Sequence, residues 1–146
     1  MRMKQAGDTD LDERLPVARL REQFERAPVR VAICFGSQAH GETHGRSDID
    51  FAVEFDEVQP DDEGYNEAYF QLLAALTALV ETEDVDLVDI HTASGSLVRT
   101  IVDQGILVYG SSDRVETLRE ELYTKEQRSP RERLDAAIER IDEHLA

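Results

Sequence analysis

Apolar residues recur along the chain in two patterns, and their alternation predicts a domain of mixed strands and helices. Continuous or alternating apolar runs are typical of strands and cover residues 29–35, 48–55, 85–91 and 106–109. Apolar residues at helical spacing predict helices over residues 11–27, 65–81, 94–104, 113–127 and 130–145. Strands that alternate with helices favour an α/β or α+β fold, with a mixed sheet flanked by helices.

Cap and breaker residues mark where some of these elements end. Ser94 is a suitable N-cap for the helix predicted over residues 94–104, and Gly105 is a suitable residue to close it. Pro130 separates the last two helical stretches. By length the chain is one domain with a short appendage, and we expect the domain over residues 11–110 and a helical extension over residues 111–146.

The net charge of the chain excludes more classes of function than its length does. The 146 residues include 16 basic and 32 acidic side chains, which gives a net charge of −16. Such a field repels phosphate backbones, so direct binding of nucleic acid is disfavoured. An acidic, lysine-poor surface suits concentrated salt, where counterions screen self-repulsion. The composition therefore predicts a halophilic source, and the alternative is an ordinary acidic protein.

Hydropathy and cysteine content indicate the cellular compartment of the protein. No window approaches about eighteen consecutive apolar residues, and the first residues lack an apolar signal core, so we expect a cytoplasmic protein with no membrane partner. The one cysteine, Cys34, lies within the first predicted strand. It excludes a disulfide framework and is expected to be a buried thiol.

Residues that can carry chemistry cluster where the first predicted strand ends and the second begins. Gly36 would let the backbone approach a ligand closely, and Ser37 offers a hydroxyl and an N–H. Asp48 and Asp50 follow after ten further residues, and the two-residue period of a strand places both carboxylates on one face.

A third acid interrupts the apolar strand predicted over residues 85–91. A carboxylate on a buried strand is costly unless a cation or hydrogen bonds satisfy it, and Asp86 is such a residue. Together with Asp48 and Asp50 it would provide hard oxygen ligands for Mg²⁺ or Mn²⁺, ions that also bind phosphate. Asp89 would point to the opposite face from Asp86, where we expect it to be solvated or capping.

The pattern of Gly-Ser, ten residues, Asp-x-Asp and a distant third acid resembles the signature of polymerase β-type nucleotidyltransferases. The small size and Gly41 resemble the minimal nucleotidyltransferases (MNT), which are commonly encoded beside HEPN-domain proteins as toxin–antitoxin pairs. The resemblance covers about residues 11–110 and implies a mixed sheet with the active site at its edge.

The resemblance also implies roles for the matching residues. The backbone at Gly36 and the hydroxyl of Ser37 would hold the β- and γ-phosphates of ATP. Asp48 and Asp50 would bind two Mg²⁺ ions, and Asp86 would complete the site of the ion that activates the acceptor hydroxyl. Asp86 is also a candidate for the base.

The chain departs from the family pattern beside the Gly-Ser pair. Many relatives have arginines at the positions of Gln38 and His40, so cationic contacts to the triphosphate are missing there. Arg46, which precedes Ser47, is a candidate to replace them, and both are included among the predicted nucleotide-binding residues. The alternative is that Arg46 is a solvent-exposed loop residue.

The activity implied by the resemblance is transfer of AMP from ATP to an acceptor hydroxyl. The family offers a tyrosine of a cognate HEPN toxin as the leading acceptor, which would make this chain an antitoxin. Two alternatives stay open: a non-catalytic antitoxin that acts by binding, and a nucleotidyltransferase for small molecules of the antibiotic type. The apolar stripes of residues 113–146 are either a packing face or a partner-docking face, and a homo- or hetero-oligomer is compatible with both.

Overall fold

The computed structural model describes residues 3–9, 11, 15–36, 49–56, 58–80 and 85–126, and five strands and four α-helices are assigned within them. The strands are β1 (Lys4–Gln5), β2 (Val29–Phe35), β3 (Ile49–Phe55), β4 (Val85–Asp89) and β5 (Ile106–Tyr109). The helices are α1 (Val17–Arg26), α2 (Tyr65–Val80), α3 (Gly95–Gln104) and α4 (Ser112–Glu126). A short 3₁₀ turn, Ala6–Asp8, follows β1.

The strands form one mixed sheet in the order β1-β5-β2-β3-β4. β2 is antiparallel to both of its neighbours, whereas the outer pairs β1–β5 and β3–β4 are parallel. Parallel neighbours need a crossover connection, and α2 lies in the connection from β3 to β4. The predicted mixed sheet flanked by helices is therefore confirmed, with β4 at one edge.

Apolar side chains cover both faces of the sheet. One face packs against α1 and α2 through residues such as Phe24 and Leu76. The other face packs against α3 and α4 through residues such as Ile101 and Leu118. Successive residues of β3 alternate between the two faces, as the strand period requires. Cys34 is fully buried, as the sequence predicts.

Several predicted boundaries agree closely with the structure. β2 and β5 have the predicted bounds, and α3 is capped by the Ser94 side chain, which accepts a hydrogen bond from Leu97 N–H. α2 begins at the predicted residue, Tyr65, and is described through Val80. β4 ends at Asp89 rather than residue 91, because the carbonyl of Asp89 turns to accept the N–H of Thr92.

Two predictions about the N-terminal region are wrong or incomplete. The helix predicted over residues 11–27 does not continue through Leu15 and Pro16, and α1 begins at Val17. Proline has no N–H and biases the preceding residue away from helical backbone, so it starts a helix more readily than it continues one. β1 was not predicted, because two exposed residues show no periodic pattern and form a strand only by pairing with β5.

The C-terminal helices are described only in part. Leu118 of α4 is fully buried against the sheet and Leu122 packs beside it, so the packing interpretation is correct for this stripe. The helix predicted over residues 130–145 lies outside the described residues. Among the helices that the structure describes, none is long and apolar enough to cross a lipid bilayer.

Candidate functional site

Two of the predicted metal ligands are direct neighbours in the sheet. Asp50 on β3 and Asp86 on β4 are partners in the parallel register. Partners in register have side chains on the same face of the sheet, so the two carboxylates lie side by side. On the opposite side of Asp50, its partner in the antiparallel register is Phe35, the last residue of β2. The two acids thus lie at the point where β2 ends and β3 begins.

Gly36 has a backbone conformation and a neighbour that only glycine can accommodate. Its φ of 76° is in the left-handed region, which side chains other than hydrogen disfavour. A Cβ placed on Gly36 would also overlap the Oδ2 atom of Asp50. The sequence predicts a close approach of a ligand to this glycine, and the structure shows that the Asp50 carboxylate makes such an approach. The turn and the acid are therefore parts of one arrangement.

The remaining predicted site residues lie outside the described residues: Ser37, Arg46, Ser47 and Asp48. Their roles in binding phosphate and metal stay predictions. Within the described ranges, no group of three His, Cys, Asp or Glu residues is placed to hold a metal ion. The described residues include two members of the predicted triad, Asp50 and Asp86. Two adjacent carboxylates, one of them half-buried against the backbone, are compatible with a divalent cation.

Asp89 lies on the face opposite to Asp86, as predicted, but it is buried rather than solvated. Its Oδ2 accepts a hydrogen bond from the hydroxyl of Tyr65 at 2.6 Å, and its Oδ1 accepts the N–H of His91 at 2.8 Å. The capping alternative is therefore correct. Burial, together with the hydrogen bond to Asp89, raises the pKa of the Tyr65 hydroxyl well above its ordinary value.

A second cluster of charged residues, which the sequence does not predict, lies at the other end of β3. Glu54 is buried, and its carboxylate accepts two hydrogen bonds from Arg114, Nε at 2.7 Å and Nη2 at 2.6 Å. His91 Nε2 lies 2.7 Å from the same carboxylate. Burial alone would raise the pKa of Glu54, but the bonds from Arg114 and His91 outweigh it and lower the pKa to about 2. No spacing rule connects residues that are 37 and 60 positions apart.

The fold and the position of the acids define a class of protein. Neighbouring acids at the start of a parallel strand pair, beside a glycine turn at the end of a third strand, are typical of a nucleotidyltransferase domain. Residues 19–114 match the family described as polymerase beta, nucleotidyltransferase. The chain belongs to this family of nucleotidyltransferases, and it is one of the minimal members.

Individual relatives are similar over most of their length. The chain is 32% identical over 101 residues to the protein adenylyltransferase MntA of Shewanella oneidensis, covering 69% of this chain and 67% of that protein. A crystal structure of a toxin–antitoxin with AMP-PNP has a TM-score of 0.65 at 26% identity, covering 90% of this chain and 100% of that one. A structure of tri-AMPylated Shewanella oneidensis HEPN toxin in complex with MNT antitoxin has a TM-score of 0.58 at 23% identity, covering 89% and 96%, and shares the fold.

Proposed function

We propose that this protein transfers AMP from ATP to a tyrosine hydroxyl of a HEPN-type partner and acts as the antitoxin of that partner. The observation that carries the proposal is the register pair of Asp50 and Asp86, with the carboxylate of Asp50 against Gly36. The similarity to MntA, a protein adenylyltransferase, supports AMP as the transferred group and a protein as the acceptor. The similarity to a toxin–antitoxin structure that contains AMP-PNP supports ATP as the donor.

The residues present fit a divalent cation. Asp50 and Asp86 supply hard oxygen donors on adjacent strands, and Asp48 would complete the set that holds Mg²⁺ or Mn²⁺. When bound, such ions neutralise charge on phosphate oxygens and lower the pKa of a hydroxyl that they contact. Asp86 is exposed and Asp50 is half-buried, so the pair lies where a cation can approach it from solvent.

The chain's own residues would then position the donor and the acceptor. The backbone at Gly36 and the hydroxyl of Ser37 bind the β- and γ-phosphates, and Arg46 and Ser47 add contacts to the nucleotide. Asp86, which is exposed at the sheet edge, accepts the proton of the tyrosine hydroxyl at its carboxylate. The tyrosine oxygen forms a bond to the α-phosphorus, the bond from that phosphorus to the bridging oxygen breaks, and pyrophosphate leaves.

The test uses ATP labelled at its α-phosphate, Mg²⁺ and the HEPN-type protein encoded beside this chain. The measurement is transfer of labelled AMP to that protein. Label should appear on a tyrosine of the partner, and mass spectrometry should locate it. Asp50→Asn should abolish the label, whereas Glu22→Gln, an exposed change on α1, should preserve it. A wild-type protein that binds ATP and the partner but transfers nothing would leave an antitoxin that acts by contact alone. Transfer to a small molecule instead of the partner would favour the antibiotic-type alternative.

A further inference from the structure

An aromatic cleft lies between α2 and the edge strand β4, the strand that also carries Asp86. Its volume is about 420 Å³. Aromatic side chains of α2 line one wall and residues of β4 line the other, and the set includes Tyr65, Tyr69, Phe70, Leu87, Val88 and Asp89. No step of the transfer reaction described above uses this cleft.

Hydrogen bonds fix two of the three rings and leave the third exposed. The hydroxyl of Tyr65 donates to Asp89, and the hydroxyl of Tyr69 donates to the carbonyl of Leu87 on β4. Both rings are thereby held against the strand. Phe70 contacts the edge of the Tyr69 ring at a centroid distance of 5.3 Å, yet it is 62% exposed. It is the one large apolar side chain with such exposure among the residues described, and an exposed aromatic beside a cleft is typical of a binding surface.

Most of the cleft lies on the α2 face of the sheet, and it meets the face that carries the paired acids at Val88. Val88 lies on the same face of β4 as Asp86, because the two are separated by two positions. A strand rises about 3.3 Å per residue, so these side chains are roughly 7 Å apart. A polypeptide segment that leaves the cleft past Val88 would therefore come near Asp86, the residue proposed to accept the proton.

The charge around the cleft indicates the chemistry of its occupant. The sequence has no Lys or Arg between Arg46 and Arg99, and Asp86 and Asp89 both belong to β4. This acidic field disfavours a nucleic acid or an anionic lipid surface and attracts a basic polypeptide. Because the Tyr69 hydroxyl already binds the carbonyl of Leu87, this part of the edge is blocked for an added strand. A polypeptide would therefore be recognised through its side chains in the cleft, not by adding a strand to β4.

We propose that this cleft docks a basic segment of the partner protein, with an apolar side chain of the segment packed on Phe70, and so guides the acceptor tyrosine to Asp86. The identity of the acceptor rests on the proposed function, but the docking itself does not require catalysis. Docking would contribute to the rate by positioning, since a hydroxyl held in line reacts as part of one complex.

The test compares Phe70→Ala with Gln71→Ala, an exposed neighbour on α2 that lines a different groove. Binding of the HEPN-type partner is measured by calorimetry without ATP, and circular dichroism verifies that both variants fold. Phe70→Ala should raise the Kd for the partner about ten-fold, the loss typical of one aromatic anchor, and Gln71→Ala should not. The Kd of the wild type should also rise as KCl increases from roughly 0.1 to 0.5 M, because screening weakens a contact between opposite charges.

Separate outcomes overturn the docking proposal and the proposed function. An unchanged Kd in Phe70→Ala, a Kd insensitive to KCl, or no binding of the partner by the wild type each overturns docking in the cleft. If AMP is transferred while Phe70→Ala binds normally, the proposed function stands and the cleft is excluded. If Phe70 governs binding but no AMP is transferred, the cleft stands and the proposed transferase function fails.

Discussion

Asp50 and Glu54 are acids on the same face of β3, four residues apart, and their surroundings are opposite. Glu54 is buried and its carboxylate is satisfied by Arg114 and His91. Asp50 is half-buried, lies against the backbone of Gly36 and has a second acid, Asp86, as its register neighbour. Cationic side chains surround the acid at the Glu54 end of β3, whereas a second acid lies beside the acid at the Asp50 end.

The two surroundings distinguish an acid that stabilises the fold from an acid that is proposed to bind a ligand. A buried carboxylate with hydrogen-bonded cations is neutralised within the protein, so it joins elements together; here Arg114 ties the start of α4 to β3. Two neighbouring carboxylates repel each other in the free protein, and a bound cation relieves that repulsion. The pair of Asp50 and Asp86 would thus favour a bound cation, as the proposed function requires.

The largest expected effect is that of Asp86→Asn on transfer. The rate of AMP transfer should fall by about 1000-fold, the scale of losing a group aligned with charge in a transition state. Thermal stability should stay the same or rise, because one of two repelling charges is removed. Rates and melting temperatures measured on the same preparation test both statements. A variant with full activity would remove Asp86 from the site.

Glu54→Gln should show the reverse behaviour. It should cost about 3 kcal/mol of unfolding free energy, since Arg114 and His91 would lose a shared buried partner. The pKa of Glu54 is lowered from 4.5 to about 2 in the folded state, so its contribution is present above about pH 4.5 and is lost as the pH falls from 4.5 towards 2. Urea unfolding at several pH values measures this. Transfer per folded molecule should be preserved, and its loss would contradict a purely structural role.

Gly36→Ala should reduce both the stability of the fold and the rate of AMP transfer. The left-handed backbone and the overlap of the new Cβ with Asp50 should together cost about 2 kcal/mol. Relief of the overlap moves the Asp50 carboxylate, so transfer should fall as well. Gly64→Ala is the matched control, because Gly64 also has a positive φ but a Cβ there meets no atom within 4 Å. Equal transfer rates in the two variants would show that the contact with Asp50 does not affect function.

The smallest effect concerns His91. Its hydrogen bond to Glu54 raises its pKa above 6.5, against burial and with the charges of Asp89 and Arg114 also acting on it. The stabilisation that protonated His91 provides through Glu54 is therefore fully present below pH 6.5. It is lost as the pH rises through the raised pKa of His91. The melting temperature of the wild type should decline slightly over that range. Glu54→Gln should remove the decline, and a decline that persists in the variant would assign it to another group.

The sequence predicts the central part of this fold. It also predicts the paired acids at one end of β3, but not the Glu54 cluster at the other end. Apolar runs locate β2 and β5 with the observed bounds, because buried strands cannot be built from polar residues. β1 escapes prediction because its two residues are exposed and depend on β5. The spacing from Gly36 indicates Asp50, and Asp86 is indicated because it interrupts an apolar strand. The partners of Glu54 come from distant positions, and only the folded chain brings them together.

The two ends of β3 should differ in their affinity for a divalent cation, because two acids are paired at one end and cations surround the acid at the other. Binding of Mn²⁺, followed by electron paramagnetic resonance in the presence of a non-hydrolysable ATP analogue, tests it most directly. The wild type and Glu54→Gln should bind Mn²⁺ with the same affinity, whereas Asp50→Asn should weaken binding by at least about ten-fold. Equal affinity in the wild type and Asp50→Asn, or loss of binding in Glu54→Gln at a temperature where it is folded, would contradict the account.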